Sequence, residues 1–158
     1  MKSNYPACIK IILGWEIGPG RLHANTDNPG DRRTRDGVTQ PSYDRWRRGN
    51  NLPRRDVWSM ADVERDAIYK QNYWDLIDCD IIAPGLDLLS MDCVVNGSLI
   101  RQWLAQTSHL PTITRIKQID GLRRGYWRHC PSFVADGLGW FRRENDILKH
   151  ALAMASAK

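Results

Sequence analysis

Between Tyr5 and Glu16 the apolar positions recur at helical spacing. At about 100° per residue, Tyr5, Ile9, Ile12 and Glu16 share one stripe, so a carboxylate continues an apolar face. Ser3 or Asn4 can cap this helix, Pro6 suits its first turn, and Gly18-Pro19-Gly20 breaks it. From Ile17 to Val38 the periodicity vanishes into a loop rich in Gly, Pro and short polar residues, with a small hairpin expected around Arg35 to Val38. Thr39 and Pro41 start a second helix that Gly49 ends. Ser59 with Asp62 predicts a capping-box start for a third, running through Ala67, Ile68 and Tyr69 to about Trp74. Beyond Pro84 the pattern is helical throughout. Leu86, Leu89, Cys93 and Val94 suit a buried central helix, and Ile100, Trp103 and Leu104 mark a short one. Ile113, Ile116, Ile119 and either Leu122 or Arg123 line an amphipathic helix. Pro131 opens the last, with Val134, Leu138, Phe141, Ile147, Leu148 and Leu152 as its apolar face. The predicted class is all-α, with a minor β element after the first helix.

Composition narrows the partners. The chain has 158 residues and a net charge of +5. Between Arg21 and Arg55 nine arginines face four aspartates, which equals the whole excess and suits an anionic partner: nucleic acid, a membrane surface or a cell wall. A solvated basic face is the plainer reading. The four cysteines (Cys8, Cys79, Cys93, Cys130) show no metal-ligand spacing and read as free thiols. No stretch reaches the roughly 20 apolar residues of a membrane span, so no membrane insertion is expected. The apolar run before Glu16 is short and lacks a small-residue cleavage site. Synthesis in the cytoplasm without a signal peptide is therefore expected, with export through a holin or a secretion system to the cell wall or periplasm.

Glu16 carries the most chemistry. Burial on the stripe and the negative end of the helix dipole both disfavour its charged form, which suits a proton donor to a leaving oxygen. The plainer alternative is a glutamate turned outward at a frayed helix end. A second group is available in the loop, where Asp27, Asp31 and Asp36 are interleaved with Thr26, Thr34 and Thr39, although turns use these residues for their own sake.

Several motifs occur in a definite order: Trp15-Glu16-Ile17-Gly18, then Asp27-Asn28-Pro29-Gly30, Thr34 and Gly37-Val38-Thr39-Gln40. Further on come Ile68-Tyr69, Tyr73-Trp74, Met91-Asp92 and Val95-Asn96-Gly97. Together they resemble glycoside hydrolase family 108, which contains phage endolysins and secretion-associated N-acetylmuramidases. Arg115, the Leu122 to Trp127 stretch and Phe133 through Arg143 are similar to the peptidoglycan-binding region that follows in such proteins.

The resemblance implies a lysozyme-like helical fold, with residues 1–84 as the catalytic muramidase region. Residues 85–158 would form a helical peptidoglycan-binding region, the whole packed as one compact unit and acting as a monomer. It implies cleavage of the β-1,4 bond between N-acetylmuramic acid and N-acetylglucosamine, with Glu16 as acid, Asp27 as second group and Thr34 helping to hold the water. Thr39, Gln40, Tyr69, Tyr73, Trp74, Asp92 and Asn96 would contact peptidoglycan, with no cofactor and no metal.

Two departures stand out. Ile17 interrupts the family's Glu-Gly-Gly, and the family aspartate corresponds to Asp27 by chemistry or to Asn28 by strict register. The C-terminal aromatics (Tyr126, Trp127, Phe133, Trp140, Phe141) have core packing or glycan contact as their two readings. A basic nucleic-acid-binding module built on Arg45-Trp46-Arg47-Arg48 and Arg54-Arg55 is the competing class, and it leaves Glu16 without a purpose. A zinc amidase using His23, His129 and Cys130 is a third, without ligand-like spacing to support it.

Overall fold

A computed structural model describes residues 4–27 and 33–157. The motif residues Asn28, Pro29, Gly30 and Asp31 lie outside the described residues. Helix α1 spans Tyr5–Ile17. Three two-residue strands follow, β1 (Asn25–Thr26), β2 (Thr34–Arg35) and β3 (Val38–Thr39), and then α2 (Gln40–Gly49) and α3 (Asp62–Tyr69). The rest is helical: α4 (Leu86–Val95), α5 (Ile100–Gln106), α6 (Thr112–Arg128) and α7 (Phe133–Ser156). The expected all-α class with a small β element is what the chain adopts. No helix among the described residues is long and apolar enough to cross a membrane. The chain divides into two compact units, Ile9–Asn72, and Met1–Cys8 with Tyr73–Lys158.

In the Ile9–Asn72 unit the sheet is antiparallel in the order β1-β2-β3, pairing Thr26 with Thr34 and Thr34 with Thr39. Asp36 and Gly37 form the two-residue turn between β2 and β3, both at positive φ (51° and 80°). Such a turn matches the natural twist of the strands, and Asp-Gly is among the pairs that tolerate it. Thr39 then caps α2 by accepting the Ser42 N–H at 3.3 Å. Arg47, one of the arginines of the Arg45-Trp46-Arg47-Arg48 cluster, is buried rather than part of a basic surface. It turns inward, donating to the Pro53 carbonyl, the Tyr43 hydroxyl (3.0 Å) and Glu64. Ser59 does not cap the third helix. It closes a short 3₁₀ turn, and α3 begins at Asp62, where Glu64 reaches back to the Ala61 N–H at 3.1 Å. A π-helical turn, Lys70–Trp74, carries the chain onward.

In the other unit α4 is the core: every residue from Leu86 to Cys93 is buried. Asn4 is tied to this unit through its side-chain amide, which donates to Asp87 at 2.9 Å, and Tyr5 meets Trp74 edge-on with ring centroids 5.4 Å apart. Gly85 lets α7 approach closely, since a Cβ there would stand 2.0 Å from the Ala151 carbonyl oxygen. Cys8, Cys79 and Cys93 are buried free thiols, and burial pushes all three up. The aromatics Trp127, Phe133, Trp140 and Phe141 pack on one another at centroid distances of 5.5 to 6.4 Å. The expected face of α7 holds at Ile147, which is buried with Gly137, Glu144 and Ala151, but not at Val134 and Leu138, which are 97% and 79% exposed. The apolar stripe of a helix end faces the core only where another element covers it.

A charged cluster lies inside this helical core. Arg123 has no exposed surface; it bonds Asp92 at 2.7 Å and pairs with Glu144, and Arg143 reaches Asp92 at 2.7 Å. Burial, together with the nearby carboxylates of Asp92 and Asp120, pushes Glu144 up to about 8 against the pull of Arg123. The folded protein therefore holds a proton that the unfolded chain releases near 4.5, and between these values the folded state binds more protons. Stability is expected to fall as pH rises from about 4.5 to about 8, in full effect below that window and lost above it. Urea unfolding across this range checks it, and Glu144→Gln should flatten the slope. An unchanged slope in the variant would refute the assignment.

Candidate active site

Glu16 sits in the last turn of α1, half-buried, and the helix ends one residue later as Gly18 and Gly20 turn the chain at φ 85° and 73°. Its carboxyl lies against the β2–β3 turn. A Cβ built on Gly37 would stand 2.9 Å from Glu16 Oε2 and 2.5 Å from the Tyr69 hydroxyl. The carboxyl and the phenol thus converge on the same side of Gly37, where any side chain would displace one or both and where φ 80° itself favours glycine. Tyr69, on the last turn of α3, donates its hydroxyl to the Asp36 carbonyl at 2.9 Å.

Asp36 has no exposed surface. Its Oδ1 accepts the Ala24 N–H at 2.8 Å, and its Oδ2 accepts His23 Nδ1 at 2.9 Å and Arg65 Nη1 at 3.2 Å. The sequence offers Asp36 as one loop acid of three and His23 only as a candidate zinc ligand, and it does not mark Arg65. The signal for the turn was the Asp36-Gly37 pair; nothing local signalled the buried arginine, which comes from another element.

His23, Asp36 and Asp62 bring three potential ligand atoms within 4.8 Å of one another. Arg65 also lies 3.3 Å from Asp62, and Arg35 lies 3.8 Å from Asp36 and 3.9 Å from Asp62. Two guanidiniums thus balance the two carboxylates, and a divalent cation would meet their repulsion. His129 and Cys130, the other members of the zinc reading, bond the carbonyls of Gly125 (2.8 Å) and Tyr126 (3.7 Å).

The remaining site residues of the sequence reading fall as follows. Asp27 is exposed directly after β1, and Thr34 is half-buried on β2 between its partners Thr26 and Thr39. The Thr39 hydroxyl is taken up by the α2 cap. Gln40 bonds Asp44 (2.7 Å), the Arg55 carbonyl (2.9 Å) and the Val57 N–H (2.7 Å), and it lines an open cavity of about 340 Å³ with Arg33, Arg54, Arg55 and Asp56. Tyr69 is 1% exposed, so its place is behind the carboxyl rather than on an open surface. Tyr73 is half-buried in the π turn. Trp74 and Asp92 have no exposed surface, Trp74 donating to Asp80 at 2.9 Å and Asp92 pairing with Arg123 and Arg143. Asn96 is exposed, its amide bonding the Asp92 carbonyl at 2.8 Å.

The glycosyl hydrolase 108 family model matches residues 9–97, a stretch that holds Glu16, the sheet and Tyr69. The fold is similar to that of SagA from Brucella abortus, with a TM-score of 0.82 at 17% identity, covering 100% of this chain and 99% of that one. Among curated proteins no sequence matches. With more than half of its length matched by the family and a fold of the same helical, lysozyme-like kind, the chain belongs to glycosyl hydrolase family 108 and is a glycoside hydrolase.

Proposed function

We propose that this glycoside hydrolase is a peptidoglycan hydrolase of the N-acetylmuramidase type. In this reading it cuts the β-1,4 bond between N-acetylmuramic acid and N-acetylglucosamine as an endolysin or secretion-associated muramidase. The carrying observation is the Glu16 carboxyl held at a helix end against Gly37 and Tyr69. Glu16 protonates the departing glycosidic oxygen while the sugar ring develops oxocarbenium character. Asp27, exposed directly after β1, serves as the second carboxylate, with Thr34 orienting the water. The helical region beyond residue 84 supplies wall binding through its exposed positions. Trp127, Phe133, Trp140 and Phe141, which pack on one another, are left out of that role.

Arg45 and Arg48 are exposed, and Arg33, Arg54 and Arg55 line the cavity that Gln40 shares. This basic surface suits the anionic groups of a cell wall. The nucleic-acid reading loses the centre of its cluster, because Arg47 is committed to Tyr43, Pro53 and Glu64.

Glu16→Gln preserves size and removes the proton donor. It should lose wall-clearing activity by about a hundred-fold or more, the range of general acid catalysis, with unchanged helicity. A folded variant that clears purified sacculi at the wild-type rate would end the proposal. Exposed charges act over about 10 Å at 0.1 M salt. Replacing Arg45 and Arg48 together by Gln should therefore weaken sacculus binding at low salt and flatten the salt dependence of lysis. Sacculus pelleting and turbidity loss across a salt series read both effects. Tight nucleic-acid binding by the wild type, abolished in the double variant while lysis is unaffected, would favour the other class.

A further inference from the structure

The Glu16 carboxyl is confined from behind by atoms whose own positions are set by a third residue. Asp36 is pinned through three bonds, from the His23 ring, the Ala24 N–H and the Arg65 guanidinium, and its backbone stands in the left-handed region at φ 51°. Its carboxylate therefore locks the β2–β3 tip, and its carbonyl presents a fixed acceptor. The Tyr69 hydroxyl donates to that acceptor at 2.9 Å across 33 positions of sequence. The same hydroxyl oxygen and Glu16 Oε2 lie 2.5 and 2.9 Å from the point a Cβ would occupy on Gly37.

We propose that Asp36 and Tyr69 are positioning residues for Glu16. Asp36 pins the turn, the carbonyl of the turn aims the Tyr69 hydroxyl, and hydroxyl and Gly37 together fix where the acid's carboxyl sits. The inference rests on the reading of Glu16 as the acid. Its physical basis is the sensitivity of proton transfer to geometry: a misplacement of about 1 Å costs on the order of a hundred-fold in rate. Tyr69 is 1% exposed and so offers almost no surface to a glycan, which leaves Glu16 as the group through which it acts in this proposal. His23 and Arg65 belong to the same device as the donors that hold Asp36 in place.

The test is steady-state kinetics on soluble, uncross-linked peptidoglycan strands with Tyr69→Phe, Asp36→Asn and the double variant, beside Glu16→Gln. Tyr69→Phe removes one oxygen and should fold with little change in thermal midpoint. Its kcat should fall about ten-fold or more while KM stays within about two-fold. If both residues act through the one hydroxyl, the double variant should lose no more kcat than the worse single variant. A lowered thermal midpoint with kcat per folded molecule unchanged would make Tyr69 purely structural and overturn the proposal. A raised KM with unchanged kcat would overturn it in favour of substrate contact. Should Asp36→Asn fail to fold, Tyr69→Phe decides the matter by its kcat. Glu16→Gln separates the two readings: full activity there removes the acid and the positioning claim together. An inactive Glu16→Gln beside a fully active Tyr69→Phe removes the positioning claim and leaves the acid standing.

Discussion

The buried carboxylate of Asp36 is the constraint around which the Ile9–Asn72 unit is organised. A carboxylate withdrawn from water is tolerated only when its oxygens are fully engaged. Here the engagement comes from three places in the chain: a loop histidine, the backbone just before β1, and an arginine of α3. One side chain therefore ties the sheet to the helix that carries Tyr69. Losing either side of such a buried pair costs about 3–5 kcal/mol, a large part of a small unit's stability. The Asp-Gly turn, the close approach of Glu16 and the placement of the phenol all follow from that tie.

The helical unit solves a similar problem with different residues. Arg123 stands where the amphipathic pattern of α6 asks for an apolar side chain, and its guanidinium lies 4.3 Å from the Trp127 ring centre while pairing with Asp92 and Glu144. Each acid comes from a different helix, so the charge cluster fixes the register of α4, α6 and α7 more narrowly than Leu or Ile contacts would. Apolar contacts are non-directional and tolerate sliding; charge-assisted hydrogen bonds do not. The same arrangement leaves Glu144 with an affinity for its proton far above that of an exposed glutamate, which couples this core to pH.

Family membership joins these features to chemistry. A glycoside hydrolase needs an acid held still, and in the proposed function that acid is Glu16 at the end of α1, with Gly37 placing no side chain against its carboxyl. In the same proposal the basic surface around Arg45, Arg48 and the Arg33–Arg54–Arg55 cavity supplies long-range attraction to an anionic wall.

Local information determined a great deal. The 3.6-residue period marked α1 with Glu16 on its inner stripe, the Leu86–Val94 core helix and α6, because an amphipathic helix writes its buried face into neighbouring positions. The Asp36-Gly37 pair announced the hairpin because few residue pairs tolerate positive φ twice in succession. What local patterns could not carry was the partner of each polar side chain. Arg47 and Arg123 read as surface or ambiguous positions, and only the packed structure turns them inward onto Glu64, Asp92 and Glu144. Val134 and Leu138 read as core but lie in the open, because no element among the described residues covers that end of α7. The Asp36–Arg65 pair spans 29 positions and the Tyr69–Asp36 bond 33. Propensity and periodicity act over a turn or two of chain, whereas a buried charge is satisfied by whatever the fold brings within about 3 Å.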